Sequence, residues 1–583
     1  MAKTFDLLIR GGTVVDGSGD EPFVGDVAIR DGQIVAVGDV SGEAGEIIDA
    51  KGLVVTPGFV DIHSHYDGQA FFDDTLSPSN AHGVTTVVLG VCGIGFAPAR
   101  ADDHDLLVTT MEAVEDIPGD VLRAGLEWEW ETFPEYLDAL DRRGFAMDVA
   151  AHIGHVALRT YVMGARGVAN EPATPEDIAS MAKLAGEAVE AGALGFSTSR
   201  VQAHVTLAGE PVPGTTAGQD ELFAIGRAIA DTGRPVVFQV AEAGVDGQDP
   251  NDALSEIVWM RKLSAELKIP VSFLVLQSLT APNLWKELLD SALEAEKEGG
   301  KLRAQVSNRP FGMLLGLTTR HPFLKRPTFD RLAQSCESLE ELVRELRRSE
   351  IRQAILSEED TVDTGDKFEG MGALVNEMPA MVYPLLDDLD YEPAPERSMD
   401  GLAKARGTTP VELFYELMLE EEGGRMFLVP FFNYANGDHG AILEMLNHPA
   451  TVLGLGDGGA HLATICDASM PTYQLCHWAK GRERGPKLSL ERAVQMQTKE
   501  TAALYGLNDR GTLEVGKRGD VNVIDFERLA LLPPRRVQDL PAKGARLLQE
   551  ATGYKATIVG GVVVRRDDRD TGARPGRLVR GAC

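Results

Sequence analysis

Apolar and polar positions along the chain fall into three patterns. The first 50 residues alternate with period two: DLLIRGGTVVDG and DVAIRDGQIVAVG are short apolar runs broken at Gly-Gly and Asp-Gly. That spacing predicts half-buried strands, and Asp31-Gly32 is a strong two-residue hairpin signal. The last 75 residues read alike, with GTLEVGKRGDVNVID and KATIVGGVVVRR as short strands around glycine-rich turns. Two β segments at opposite ends of one chain predict a single small domain, because termini commonly lie close together. Residues 1–57 and 513–583 are therefore expected to form one small β-sandwich.

The middle of the chain alternates short apolar runs with helix-patterned stretches. Eight runs fit strands, at 54–61, 85–89, 148–153, 193–196, 235–240, 271–275, 303–307 and 451–456. Segments between them, such as PEDIASMAKLAGEAVEAG and DELFAIGRAIADTG, are apolar at helical spacing and end in glycine. Alternating strands and helices predict a parallel sheet, and eight such units predict a closed barrel. The expected fold class is α/β: a TIM-like (β/α)8 barrel over 58–512, carrying the small β domain from both chain ends. About 140 residues separate the seventh and eighth strands, too long for a structureless loop. Acidic helical patterning there (CESLEELVRELRRSEIRQAILSEED) predicts an inserted helical subdomain or lid over 310–430. A peripheral helical addition without function is the alternative.

Composition narrows the functional classes. Apolar residues make up 44 %, charged residues 25 % and aromatics 6 % of 583 residues, so the chain can bury a large core. The net charge of −33 disfavours nucleic acid and anionic membrane surfaces as partners. No apolar run approaches the ~18 residues a membrane helix needs, and MAKTFDLLIRGG lacks the apolar core of a signal peptide. A cytoplasmic protein is expected. Five cysteines, at 92, 336, 466, 476 and 583, are too few and odd in number for a disulfide framework.

The sharpest chemical feature is PGFVDIHSHYD. His63 and His65 stand two apart at the end of a predicted strand, so both imidazoles share one face. At the C-terminal mouth of a barrel they converge where such folds build their sites, and neutral imidazole is a common zinc ligand. In LGLGDGGAH, Asp457 follows the last predicted strand. It is a candidate metal ligand, a candidate proton acceptor for a bound water, or both. A helix N-cap is the alternative. There is no GxSxG elbow of a serine hydrolase.

These residues resemble the amidohydrolase superfamily, in which a first-strand HxH and a last-strand aspartate are hallmarks. Four further segments resemble the N-acyl-D-amino-acid deacylases (D-aminoacylases): TTVVLGVCG, HIGHVALR, AGALGFSTSR followed by VPGTTAGQDEL, and ETAALYGLNDRGTLEVGKRGDVNVID. The resemblance implies a metal held by His63, His65 and Asp457, with Cys92 as a thiolate ligand that could bridge two metals. A small buried residue is the alternative for Cys92. The family expects a histidine on each of the fifth and sixth strands, where this chain has VVFQVAEAG and VSFLVLQSL. Gln239 or Glu242, and Gln277, occupy that neighbourhood. The second metal site is thus missing or rebuilt, which implies one zinc per chain and leaves a second open. His155, His204, His439 and His461 lie where they could rebuild it, but for each a hydrogen-bonded structural role is the favoured reading.

The resemblance further implies a small-molecule amide substrate, an N-acyl-D-amino acid, attacked by metal-activated water with Asp457 moving the proton. A cyclic imide or carbamate substrate, or a degenerate ligand-binding barrel, are the alternatives. A substrate carboxylate calls for a guanidinium, which binds both its oxygens. Arg200 and Arg309 follow predicted strands and are the candidates, while Arg159 suits a structural role. Tyr66, Gln239 and His461 complete the expected lining. Relatives of this fold often associate, so a homo-oligomer is also expected.

Overall fold

The computed structural model describes residues 5–245, 247, 249–363 and 369–581. The apolar run at 54–61 proves to be two strands. Val54–Pro57 joins the sheet made by the chain ends, and Phe59–Asp61 opens a parallel series. The break falls at Gly58, where a Cβ would meet Thr85 Oγ1 at 2.2 Å. The backbone crosses from one sheet to the other only because that side chain is missing.

The parallel series forms two arcs. Phe59–Asp61, Val84–Leu89 and Asp148–Ala151 make the first; Ile153–Gly154, Gly195–Ser199, Val237–Ala241, Pro270–Leu274, Lys301–Val306 and Thr451–Leu453 make the second. The arcs meet at His152, whose N–H still donates to Leu89 O at 2.9 Å. At their far ends a parallel bridge joins Ser64 to Gly458, and His65 N donates to Gly458 O at 2.7 Å. Inward residues form two buried layers. Val60, Val88, Ala150, Leu194, Val237 and Val452 fill the lower one. Val91, Cys92, Val201, Ala241, Leu274 and Leu455 fill the upper one, on the side of the strand ends.

Helices cover the outside, and their starts are set by local chemistry. In Pro175–Ala191, the Thr174 side chain caps the Asp177 N–H while Asp177 reaches back to the Thr174 N–H, and Pro175 occupies the first turn. The inward faces of these helices and the outward faces of the strands share the largest apolar core, including Phe196, Phe238, Leu263 and Phe273. No helix among the described residues is long and apolar enough to cross a membrane.

The segment between the seventh and eighth parallel strands is not purely helical, as its patterning had suggested. Gly312–Gly316, Tyr383–Pro384 and Met426–Pro430 form a three-stranded antiparallel sheet packed on several helices. It has its own core, including Phe323, Phe329, Leu413, Phe414 and Phe427. The two chain ends pair with each other. They form one nine-stranded sheet that curls until Ile34 N donates to Lys517 O and Gly516 N to Ile34 O, each at 2.8 Å. Its core includes Leu7, Ile29, Val55, Val523 and Ile558.

The tail does not stay with that sheet. Gly576 and Leu578 bridge to Phe145 and Val149 beside the third parallel strand, and Gly581 N donates to Gly192 O. The same corner holds a buried ion cluster. Asp148 accepts from Arg510 Nη1 and pairs with Arg518 Nε, both at 2.8 Å. Its other oxygen accepts from Arg518 Nη2 at 2.9 Å and from Arg577 N at 3.0 Å. Cys92, Cys336, Cys466 and Cys476 are free thiols; Cys583 lies outside the described residues.

Candidate metal centre

Period-two alternation at the end of the first parallel strand points His63 and His65 the same way. Ser64 between them turns aside, its hydroxyl donating to Val88 O at 2.9 Å. His63 Nδ1 lies 2.7 Å from Gln305 Oε1, and an amide oxygen can only accept. His63 therefore carries its proton on Nδ1, and the lone pair on Nε2 faces Cys92 Sγ and Asp457 Oδ1, each at 3.3 Å. His65 Nε2 is 3.6 Å from the same Asp457 oxygen. Ligand atoms of His63, His65 and Cys92 all lie within 4.8 Å of one another, and all three residues are buried.

The backbone is held in uncommon conformations to achieve this. Cys92 (φ 55°), Asp457 (φ 45°), Leu455 (φ 62°) and His461 (φ 50°) are all left-handed without being glycine. Such strain persists where surrounding contacts over-determine it, commonly at functional sites. At Cys92 the contact is Gln239, whose Oε1 accepts the Cys92 N–H at 2.8 Å. The next residue must be glycine: a Cβ at Gly93 (φ 74°) would meet Ser199 N at 2.6 Å.

Burial sets the charge states. It lowers His63 to about 4 and raises the Cys92 thiol to about 11. It also raises Asp61 to about 7 and Asp67 to about 6. Asp457 goes the other way: burial opposes its ionisation, yet His65, His63 and His461 hold it below the usual carboxylate range. For His65, burial alone would depress the pKa, but Glu115, Asp457 and Cys92 raise it well above the ordinary value. One sulfur, two imidazoles and one carboxylate thus converge on one buried point. That is a donor set for a borderline-soft divalent cation such as zinc.

The sequence pattern of the amidohydrolase family matches residues 46–565. The chain belongs to the amidohydrolase family. It is accordingly a hydrolase of amide bonds other than peptide bonds. An uncharacterized protein of Mycobacterium bovis is 28 % identical over 555 residues, covering 90 % of this chain and 85 % of that one. The D-aminoacylase of Alcaligenes xylosoxydans xylosoxydans is 26 % identical over 584 residues, covering 99 % and 98 %. The N-acyl-D-glutamate deacylase of Bordetella bronchiseptica, solved with zinc and a phosphonate inhibitor, shares the fold. Its TM-score is 0.64 at 21 % identity, covering 99 % of each chain.

Several residues expected at the mouth of this amidohydrolase are committed elsewhere. Arg200 Nε pairs with Glu256 at 2.7 Å and its Nη1 donates to Ala217 O at 2.9 Å. Arg309 is buried, bonded to Asp467 and Cys466 O at 2.9 Å, with its guanidinium 4.3 Å from the Tyr391 ring centre. A buried guanidinium is costly unless paired, and pairing uses up the fork a substrate carboxylate would need. Tyr66 is buried, its hydroxyl 2.7 Å from Ser79 Oγ. Its ring lies so close to Gly459 that a Cβ there would meet it at 2.7 Å. His155 binds Glu221 and Thr198, each at 2.8 Å, with Arg159 on the same carboxylate. His204 bonds Ser199, and His439 belongs to a separate cluster. Past the ends of Val237–Ala241 and Pro270–Leu274, Glu242 accepts the Leu274 N–H and Gln277 accepts the Ala435 N–H.

Of the expected lining, Gln239 and His461 stay near the centre, and His461 does so through Glu115, a residue the motifs do not reveal. Glu115 ends the helix His104–Glu115, is buried, and places Oε1 3.4 Å from His65 Nδ1 and Oε2 3.7 Å from His461 Nε2. His65 Nδ1 is buried without a hydrogen-bond partner among the described residues, so Glu115 is the acceptor that can orient this ring. Gln305 was also missed, although a polar residue at an inward position of an apolar strand was a usable signal. Removing an orienting carboxylate typically weakens metal binding 10–100-fold, so Glu115→Ala is expected to raise the zinc dissociation constant by about that factor. Competition against a chromophoric chelator measures it, and an unchanged constant would remove Glu115 from this role.

Proposed function

We propose that this amidohydrolase deacylates N-acyl-D-amino acids at a single zinc centre. The carrying observation is the convergence of His63, His65, Cys92 and Asp457 on one buried point. In this reading the two strand arcs close into a (β/α)8 barrel over 58–512, with 310–430 inserted at its mouth and 1–57 and 513–583 beside it. The four side chains are the zinc ligands. Zinc, when bound, supplies a Lewis acid that activates water and polarises the acyl carbonyl. Asp457 accepts the proton of the attacking water and returns it to the leaving nitrogen. Gln239 Nε2, buried and without a partner among the described residues, donates to the acyl oxygen as charge develops there.

The D-amino acid preference is taken from the names of the Alcaligenes and Bordetella relatives. A second reading, a cyclic imide or other neutral amide, is favoured by one observation. Both candidate arginines are locked in ion pairs, and the upper layer around Cys92 is apolar, with Leu276 and Phe311 packed against it. The test combines elemental analysis with turnover of N-acetyl-D-methionine, N-acetyl-D-glutamate, their L-enantiomers and a cyclic imide. One zinc per chain and D-selective deacylation are expected. Zinc with turnover of the imide alone would move the function to the second reading, and a zinc-free protein without turnover would overturn both.

A further inference from the structure

A second cluster of metal-ligand types lies outside the centre described above and shares no residue with it. Glu392, from the inserted segment, meets His439, which precedes the helix Gly440–Leu446, and His477, in the π-helical stretch Gln474–Gly481. Their ligand atoms all lie within 4.8 Å of one another. π-Turns are rare and tend to mark functional positions.

The hydrogen-bond pattern shows what is missing among them. His439 Nε2 lies 3.0 Å from Tyr391 O, a carbonyl that can only accept, so the proton is on Nε2 and Nδ1 keeps its lone pair. Its Nδ1 nevertheless points at Glu392 Oε2, 3.6 Å away. Glu392 Oε2 already accepts from Arg482 Nε at 3.0 Å, so it meets His439 Nδ1 as a second acceptor. Two acceptors thus face each other, and His439 Nδ1 has no hydrogen-bond donor among the described residues. His477 Nε2 stands 3.2 Å from the same oxygen, and both imidazole nitrogens are buried without a hydrogen-bond partner among the described residues.

Other contacts hold the three ligand groups in place without supplying that donor. Arg482 grips Glu392 by Nε to Oε2 and Nη2 to Oε1, each 3.0 Å, and the His439 N–H donates to Oε1 at 2.8 Å. The Tyr473 ring stacks on His477, with centroids 4.5 Å apart and planes 10° from parallel. A cavity of about 550 Å³, lined by Asp388, Asp390, Glu392, Tyr473 and His477 among others, opens beside them. It provides a way in for an ion and room for a water ligand.

We infer that Glu392, His439 and His477 bind a second divalent transition-metal ion of the zinc class, with water as the fourth ligand. Two nitrogens and one carboxylate oxygen suit such an ion, and the Tyr391 carbonyl supplies the outer hydrogen bond that fixes the His439 tautomer. The three ligands come from three chain segments. The ion therefore ties the insertion to the loops on either side of the last parallel strand, and its role is to hold them together.

Cobalt(II) is the probe, because its visible d–d bands report coordination. The full-length chain carrying His63→Ala and His65→Ala, which lacks the first centre, is expected to bind one Co²⁺ with intense visible bands. Adding His477→Ala should abolish both the bands and the bound ion. In parallel, single His477→Ala in the otherwise unaltered chain should bind one cobalt fewer per chain than wild type, which covers the case in which the double variant fails to fold. Equal stoichiometry in His477→Ala and wild type, or no cobalt in the folded double variant, would show a proton-mediated ion cluster instead and overturn the proposal.

Discussion

Asp457→Asn is expected to lower kcat by about 10³-fold, within the range that loss of general acid–base catalysis commonly produces. The substitution keeps shape and a ligating oxygen but removes the charge and the basic site. Asp457 Oδ1 lies 3.3 Å from His63 Nε2 and 3.6 Å from His65 Nε2, so this one oxygen borders both imidazoles that face the centre. The neighbouring histidines also keep the carboxylate ionised in spite of its burial. In the proposed mechanism this buried carboxylate is the group that takes the proton. Steady-state kinetics on the best substrate of the screen, with zinc content measured on the same sample, checks the expectation. Zinc retained with a loss below about tenfold would assign the proton transfer to another group.

Asp148→Ala is expected to cost about 3–5 kcal/mol of stability, the penalty typical of breaking a buried ion pair by removing one partner. Asp148 is fully buried. Arg510 and Arg518 converge on it at 2.8 Å, Arg510 almost fully buried and Arg518 partly so. Arg510 also donates to Thr86 Oγ1 at 2.7 Å on the second parallel strand. Removing the carboxylate takes away the acceptor the two guanidiniums share, leaving Arg510 to Asp509 and Arg518 to Asp520, and frees the Arg577 N–H that secures the tail. Urea denaturation of wild type and variant provides the measurement. A change within about 0.5 kcal/mol, as for an ordinary surface substitution, would show that water reaches the cluster and solvates it. The energetic weight of this corner is separate from catalysis, because the cluster sits at the start of the third strand while His63, Cys92 and Asp457 sit past strand ends.

The local order of the chain was legible because strand and helix periods are local properties. Apolar alternation located the parallel strands to within a few residues, and period two alone placed His63 and His65 on one face. Asp457, directly after the last apolar run, was readable for the same reason. The position of Cys92 in a Gly-rich turn after the second strand was visible too, although its ligand reading needed the family resemblance. Gly58 shows the limit. A single apolar run was split because a backbone had to pass within contact of Thr85, a residue the local pattern does not mention. The short strands of the insertion were masked similarly, since Gly312–Gly316 and Met426–Pro430 become strands only by pairing with each other across more than a hundred residues.

The sequence by itself therefore determined where the strands and helices run and that His63 and His65 share one face. Only the tertiary structure decided which side chains meet. It brought Gln305 to His63 across 242 positions, set Glu115 of a peripheral helix against His65, and gathered Glu392, His439 and His477 from three segments. It also gave Arg200 and Arg309 a buried acidic partner each. The physical reason is one of range. Backbone periodicity acts over a few residues, whereas the cost of burying a charge or an unsatisfied donor is settled by whatever group the whole fold brings within about 3 Å.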